Sequence, residues 1–505
     1  MKSSAPLNHR FLLQAGLILL SAVYFVALST YFSEHRMMWS DEFDGWNLLT
    51  DPSWRHLIQS WIGGADDALP LFYAAGRLIL SVTGPHPLAI RLFSAFCIWS
   101  AAVLWWSVLR QFFSNLSALA AVLLIWLCNS TFVYHLAEVR FYGLLILTTT
   151  IAIKAAVWVE DRQPSRGIIF LLYFLANALL ISAHMLGLVY STVILVAVIF
   201  SRSSMQRRMM AIFGILSSWL LLLVYMSALK SGADYLNWIL LPGLKDLLRY
   251  YFHSPTPQRV VNALLLLFIL ASFFVSLRRS QDLLLKNRAR FLLLLISVLL
   301  MLIPLGFYVV SHLYKPLFAD RYMMPYGLGF SCLLACALWL VEQQDSFLLN
   351  PTYKYVAYAG LFCVLLALHI QNLKQQMTRP FSNIQSLTEL NSPLPIVVMN
   401  ANVFFELKYY GGPPAKNVVY LLPDHREGQS ESQAMFAIAK QGYEPSIFRD
   451  STFLKQNPRF LYPNFPADRY FYQRAIATNP RWQTRDLGPI QVNGLPIRLL
   501  LIEHR

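Results

Sequence analysis

The run FLLQAGLILLSAVYFVALSTYFSEHRMMWSDEFDGWNLL, residues 11–49, decides the architecture. Its first part, Phe11 to Phe32, is apolar and follows a short basic start with Lys2 and Arg10. A secretory signal carries a shorter apolar stretch and a small-x-small cleavage site, and the run matches neither. It reads as a retained span, long enough to cross a hydrocarbon core of about 30 Å as a helix. Directly after it, Asp41, Glu42 and Asp44 stand among Trp39, Phe43 and Trp46. Charge at the mouth of a span is costly and marks a functional position.

Outward from this stretch, apolar runs of similar length recur over the first three quarters of the 505 residues. The composition, 56% hydrophobic and 13% charged, excludes an ordinary soluble enzyme. The net charge of +15 is concentrated in short connections such as SRSSMQRRMM (201–210) and SLRRSQDLLLKNRAR (276–290). That is the positive-inside pattern and not a nucleic-acid surface. Cys97, Cys128, Cys332, Cys336 and Cys363 all fall in apolar runs and read as small core residues.

Eleven spans are predicted, near 11–33, 87–109, 117–134, 141–158, 167–183, 185–200, 210–228, 259–277, 291–310, 322–341 and 355–371. Arg110, Arg162, Arg166, Arg202, Arg207, Arg208 and the basic cluster at 278–290 then share one side, the cytoplasm. Leu69 to Thr83 carries Arg77 and is too short to cross; it reads as an interfacial helix stopped by GPHP. The outer loop 34–86, holding the acids, lies on the extracytoplasmic side. So do residues 372–505, where PIVVMN, NVVYLLP and IRLLLIEH read as strands. ANVFFELKYYG and SESQAMFAIAKQGYE read as helices between them. The fold class is an all-α polytopic membrane domain, residues 1–371, with a small α/β domain of mostly parallel sheet. The small domain has no phosphate loop and no catalytic set, and is expected to support the site or bind acceptor.

Four polar places gather at the extracytoplasmic ends: the Asp41–Asp44 cluster; Glu138, Arg140 and Tyr142 in YHLAEVRFYGL; His184; and Lys315, Asp320, Arg321 and Tyr322 in KPLFADRYMMP. Each has a plain structural reading as solvated loop, internal ion pair, hairpin cap or interface anchor. Together they bring carboxylates and cations to one face. A carboxylate can deprotonate an attacking hydroxyl, and arginine grips phosphate through two parallel hydrogen bonds. At a lipid boundary the combination suits a sugar carried on a polyprenyl phosphate. A transporter or flippase for lipid-linked glycans would also want such charges. So would an O-antigen ligase or polymerase, with Arg249 and His253 in the loop 229–258.

The chain resembles the GT-C superfamily of lipid-phosphate-sugar-dependent glycosyltransferases, such as the bacterial aminoarabinose transferases of lipid A and the protein O-mannosyltransferases. The motifs, in order, are SDEFD (Asp41, Glu42), LPLFYAAGRLILSVTG, IRLFSAF (Ile90 to Phe96), EVRFYGL and DRYMMP. They cover roughly residues 10–340. The resemblance implies Asp41 as general base, supported by Glu42, and Glu138 as the second acid. It places Arg140, Arg321 and Tyr322 at the lipid-linked phosphate. Trp39, Asp44, Tyr142, His184 and Lys315 become candidate substrate contacts, with the aromatics of the first loop seating it at the interface. It also leaves room for a divalent cation held by Asp41 and Glu138. The implied partners are membrane lipids, a polyprenyl-phosphate sugar donor, and a glycan, lipid or protein acceptor. Two departures stand out: a His of many relatives is replaced by ADDALPLFY, with Asp66 and Asp67, and the second acidic element is a single Glu.

Overall fold

A computed structural model describes residues 9–63, 65, 66, 68–228, 239–251, 267–269, 287–343, 351–378, 384–390, 392–412, 416–422, 435, 438–465, 476–492 and 495–505. In chain order its helices are α1 (His9–His35), α2 (Ser40–Leu49), α3 (Trp54–Ile62), α4 (Pro70–Thr83), α5 (Pro87–Leu109), α6 (Asn115–Cys128), α7 (Ser130–His135) and α8 (Tyr142–Arg162). There follow α9 (Arg166–Ala183), α10 (Gly187–Ile199), α11 (Met205–Ala228), α12 (Leu244–Tyr251), α13 (Arg288–Met301), α14 (Ile303–Leu313), α15 (Tyr326–Glu342), α16 (Pro351–Thr378), α17 (Ala401–Tyr410) and α18 (Asp450–Gln456).

The chain divides into two compact units. One comprises Met1–Tyr31, Ala68–Met226 and Ile239–Gln376; the other takes in Phe32–Asp67 and Met377–Arg505. The acid-bearing stretch after α1 thus folds with the C-terminal residues, and α16 runs on past residue 371.

In the first unit six described helices are long and apolar enough to cross a membrane. The pair α13–α14, bent by 40°, makes a seventh if counted as one span. Pro304 in the first turn of α14 lacks the N–H that would carry the helix through the bend. Where spans were expected at 117–134, 185–200 and 322–341, the helices α6, α10 and α15 are only 14, 13 and 17 residues long. Asn129 ends α6 and caps α7, its Oδ1 accepting the Thr131 N–H at 2.9 Å. A 3-10 turn over Asp320–Met323 precedes α15. The span expected at 259–277 lies outside the described residues except for 267–269, which are helical. The helix read at Leu69 to Thr83 is α4; it ends at Gly84, whose φ of +80° suits a residue without a side chain.

Lipid offers no hydrophobic drive for helix against helix, so close backbone approach and polar ties hold the bundle. A Cβ on Gly143 of α8 would lie 2.6 Å from the Ser94 carbonyl oxygen of α5, and one on Gly329 of α15 would lie 2.5 Å from that of Ser297 in α13. Trp105 Nε1 donates to Ser331 Oγ at 2.7 Å, joining α5 to α15. Trp219 Nε1 donates to Ser191 Oγ at 2.8 Å, and Ser191 donates to Asn177 Oδ1 at 2.7 Å, linking α11, α10 and α9. The Tyr24 hydroxyl pairs with His369 Nε2, whose Nδ1 donates to the Leu127 carbonyl, fastening α1 and α6 to α16. Cys97, Cys332 and Cys336 are buried as expected, whereas Cys363 of α16 is exposed. A membrane helix has an outward face as apolar as its core face, so hydropathy alone does not tell the two apart.

The second unit carries a six-stranded sheet of β1 (Ile396–Val397), β2 (Val418–Leu422), β3 (Ile447–Arg449), β4 (Arg459–Asn464), β5 (Trp482–Val492) and β6 (Leu495–His504), in the order β3-β2-β1-β4-β6-β5. The pairs β3–β2, β2–β1 and β1–β4 are parallel; β6 runs antiparallel to both β4 and β5. Val397, Leu421, Phe460, Tyr462, Leu500 and Ile502 form its core with Phe453 of α18. Of the helix read in SESQAMFAIAKQGYE, only residues 435 and 438–444 are described.

Gly329→Ala, whose new methyl meets backbone, is expected to cost about 1–3 kcal/mol of stability by overpacking. Gly306→Ala faces open space and leaves stability to thermal unfolding in detergent unchanged or raised by up to about 1 kcal/mol of helix propensity.

Candidate active site

In the first unit the turn between α7 and α8, the residue after α9 and the 3-10 turn before α15 bring six of the sequence candidates into one aromatic-walled cluster. Glu138 is fully buried and its Oε2 lies 2.6 Å from His135 Nδ1. Arg140, next in the turn, sets its guanidinium 4.8 Å over the Phe141 ring and 5.9 Å from that of Tyr142. Arg321, from the 3-10 turn before α15, also stands 5.9 Å from the Tyr142 ring, and 5.5 Å from Tyr322. Phe141 stacks on His184 at 4.0 Å, with Phe72 of α4 edge-on behind it at 6.4 Å. The His184 ring lies 6.3 Å from that of Tyr322, and the Tyr190 hydroxyl donates to the Tyr322 carbonyl. His184 Nδ1 accepts the Leu186 N–H at 3.0 Å, so a neutral ring carries its proton on Nε2.

Two arginines at one tyrosine ring, with a buried carboxylate two residues before one of them, can hold an anion with several acceptor oxygens. The structure thus brings together Glu138, Arg140, Tyr142, His184, Arg321 and Tyr322. Lys315 is half-buried between α14 and the 3-10 turn and makes no polar or ring contact among the described residues. His135 and the rings of Phe72 and Phe141, which pack beside His184, escaped the sequence reading. The His-x-x-Glu spacing at 135–138 was the available signal, since residues three apart meet on one face of a turn.

The other candidates lie in the second unit. The stretch read as an outer loop is a helix, α2, with Asp41 and Glu42 in its first turn, where the helix dipole favours negative charge. Glu42 is fully buried and its Oε2 accepts the Trp39 N–H at 3.3 Å, which closes the start of the helix. Asp41, Asp44 and Trp39 are half-buried. The aromatics expected to seat this stretch at the interface do otherwise: Phe43 and Trp46 are buried within the protein. Phe43 stacks on Phe405 at 5.0 Å and on Tyr409 at 4.5 Å, both from α17. The Tyr409 hydroxyl donates to Asn47 Oδ1 at 2.9 Å, and the Met38 N–H to the Tyr410 hydroxyl at 3.2 Å. Burial pushes the Tyr409 phenol up to about 12, so it remains a donor at neutral pH.

After α2, Asp51 accepts hydrogen bonds from the Tyr443 hydroxyl at 2.5 Å and the Ser53 N–H at 2.8 Å, and faces His56 Nδ1 at 2.5 Å. His56 Nε2 lies 3.1 Å from the Gln441 carbonyl oxygen. Burial raises the Asp51 carboxyl. The Tyr443, Ser53 and His56 hydrogen bonds and the His56 charge outweigh it and hold the group below its ordinary range. Asp66 is buried in the same unit, and Asp67 lies outside the described residues.

Among the described residues no three His, Cys, Asp or Glu side chains come together as a metal-ligand set. Asp41 and Glu138 belong to different units. Arg249 is described only in its helical backbone, and His253 lies outside the described residues.

A carboxyl with a depressed folded pKa stabilises the protein above its unfolded value and loses that contribution as pH falls through the folded one. Asp51→Asn is therefore expected to lower stability at pH 7 by about 1–3 kcal/mol, the scale of a charged hydrogen bond. The gap to wild type should close as pH drops below about 4, read by thermal unfolding across a pH series.

No protein-family model matches the sequence, and no curated protein matches it. Among solved structures, the fold matches ArnT from Cupriavidus metallidurans bound to undecaprenyl phosphate, with 11% identity, a TM-score of 0.56 and coverage of 97% of this chain and 98% of that one. The apo state of the same ArnT gives 10% identity and a TM-score of 0.58 over the same shares. The oligosaccharyltransferase AglB from the archaeon Archaeoglobus fulgidus, in complex with an inhibitory peptide and a dolichol-phosphate, gives 9% identity and a TM-score of 0.50 over 89% of this chain and 70% of that one. The chain has the fold of these structures.

Proposed function

We propose that this protein is an integral membrane glycosyltransferase that moves a sugar from a polyprenyl-phosphate donor to a lipid, glycan or protein acceptor. The reaction would run on the extracytoplasmic face of the cytoplasmic membrane, the side opposite the basic connections. The observation that carries the reading is that Arg140 and Arg321 both lie at the Tyr142 ring, Arg140 in the turn that also holds buried Glu138. It is supported by a fold shared with two proteins solved holding polyprenyl phosphates.

Asp41 takes the proton from the acceptor hydroxyl, and the oxygen attacks the anomeric carbon. The bond from that carbon to the phosphate oxygen breaks, and polyprenyl phosphate leaves with the electron pair. One displacement inverts the anomeric configuration. Arg140 and Arg321, with Tyr322 beside them, neutralise the phosphate as its charge grows. Glu138, held by His135, orients the donor. Trp39, Asp44, Tyr142, His184 and Lys315 are the further substrate contacts, and Glu42 serves Asp41 by closing the start of α2.

The test offers purified wild type, Asp41→Asn and Arg321→Ala a panel of radiolabelled polyprenyl-phosphate sugars with a membrane-lipid extract as acceptor source. Asp41→Asn should bind donor normally and lose about 10²–10⁴ in kcat, the scale of a general base. Arg321→Ala should weaken donor binding roughly 10- to 100-fold, the scale of a charge-assisted hydrogen bond. Normal turnover by Asp41→Asn removes it as the base. Glycan movement across liposomes with no transfer to any acceptor replaces the whole reading with a flippase.

A further inference from the structure

The C-terminal domain has so far no part in the reaction, yet its helix α17 grips the helix that carries the proposed base. Phe405 and Tyr409 lie four residues apart on α17, so they stand on one face; Phe43 and Asn47 are likewise four apart on α2. Phe43 fills the space between the two α17 rings, and the Tyr409 hydroxyl reaches over to Asn47. At about 100° per residue, Asp41 is roughly 200° from Phe43 around α2. The grip therefore turns Asp41 to the side away from α17, where it is half-buried.

Each end of the grip is fixed in turn. Phe404 of α17 packs edge-on against Tyr420 of β2 at 5.5 Å, which ties α17 to the sheet. The segment leaving α2 is fastened by Asp51 to Tyr443 and by His56 to the Gln441 carbonyl, just before β3. A ten-residue helix is marginal alone in water, so its direction comes from these contacts.

We infer that the C-terminal α/β domain is the positioning scaffold of Asp41, with Phe43, Asn47 and Tyr409 as positioning residues for the proposed transfer. The inference rests on the glycosyltransferase reading for its catalytic consequence but not for the grip itself.

The experiment compares wild type, Phe43→Ala, Phe43→Tyr and Tyr409→Phe. Hydrogen exchange over residues 40–49 is read without substrate, and kcat and donor KM are read with the donor that wild type consumes. Phe43→Ala should lose protection over 40–49 and lose kcat roughly 10- to 100-fold, the cost of misplacing a catalytic group by about 1 Å. Donor KM should stay within about two-fold, because the donor's phosphate ligands lie elsewhere. Phe43→Tyr keeps the stack and restores kcat. If Phe43→Ala fails to fold, Tyr409→Phe, which removes only the hydroxyl, should lower kcat about 2- to 10-fold at unchanged KM. Unchanged exchange over 40–49, or kcat and KM falling together with the folded fraction, overturns the inference. If wild type consumes no donor, the transfer reading fails alone, and exchange over 40–49 still decides the grip.

Discussion

A charged side chain at the edge of a hydrocarbon layer must bring its own company, because neither lipid nor bulk water is there to solvate it. The turn between α7 and α8 is built around that constraint. Glu138 has His135 beside it, and Arg140 lies over Phe141. The faces of Tyr142 and Tyr322 receive Arg321. Aromatic faces stabilise a cation while leaving much of its hydrogen-bonding capacity directed elsewhere. Such a cluster can be kept charged in an apolar setting and still take up an anion.

The sequence made the membrane domain legible because crossing a bilayer demands about twenty apolar residues, a signal nothing else imitates. Its errors there are local. The run 117–134 is apolar except for Ser117 and the stretch Asn129–Thr131, and the side chain of Asn129, turned to cap the next helix, marks where α6 stops. The polar candidates of the first unit were readable from motif and charge, and His135 was missed because a histidine has many ordinary roles.

The second unit was harder, for a reason of distance. The acids at 41, 42 and 44 read as part of an outer loop, and the helix α2 beneath them was not seen, since its apolar face is completed by Tyr409, 362 residues beyond Asn47. Local pattern cannot show a partner so remote. Strands β1, β2 and β6 announced themselves as apolar runs, whereas β5 exposes most of its length, and its Arg485, Asp486, Gly488 and Pro489 hide it. The parallel strands lie at one side of the sheet and the antiparallel pairings at the other, an arrangement that hydrophobic periodicity does not encode.

The hydrogen-bonded chain Trp219–Ser191–Asn177 has a bearing on the height of the site in the membrane. Helices in lipid slide along one another with little change in buried apolar area, so shape alone fixes their vertical register poorly. A buried hydroxyl bonded on both sides is a peg: moving α10 by one residue would break both bonds. Tyr190, beside that peg, reaches the carbonyl of Tyr322. The 3-10 turn that carries Arg321 is thereby levelled against three helices at once. The level of Arg321 along the bundle is set by a serine between helices as well as by the turn that bears it.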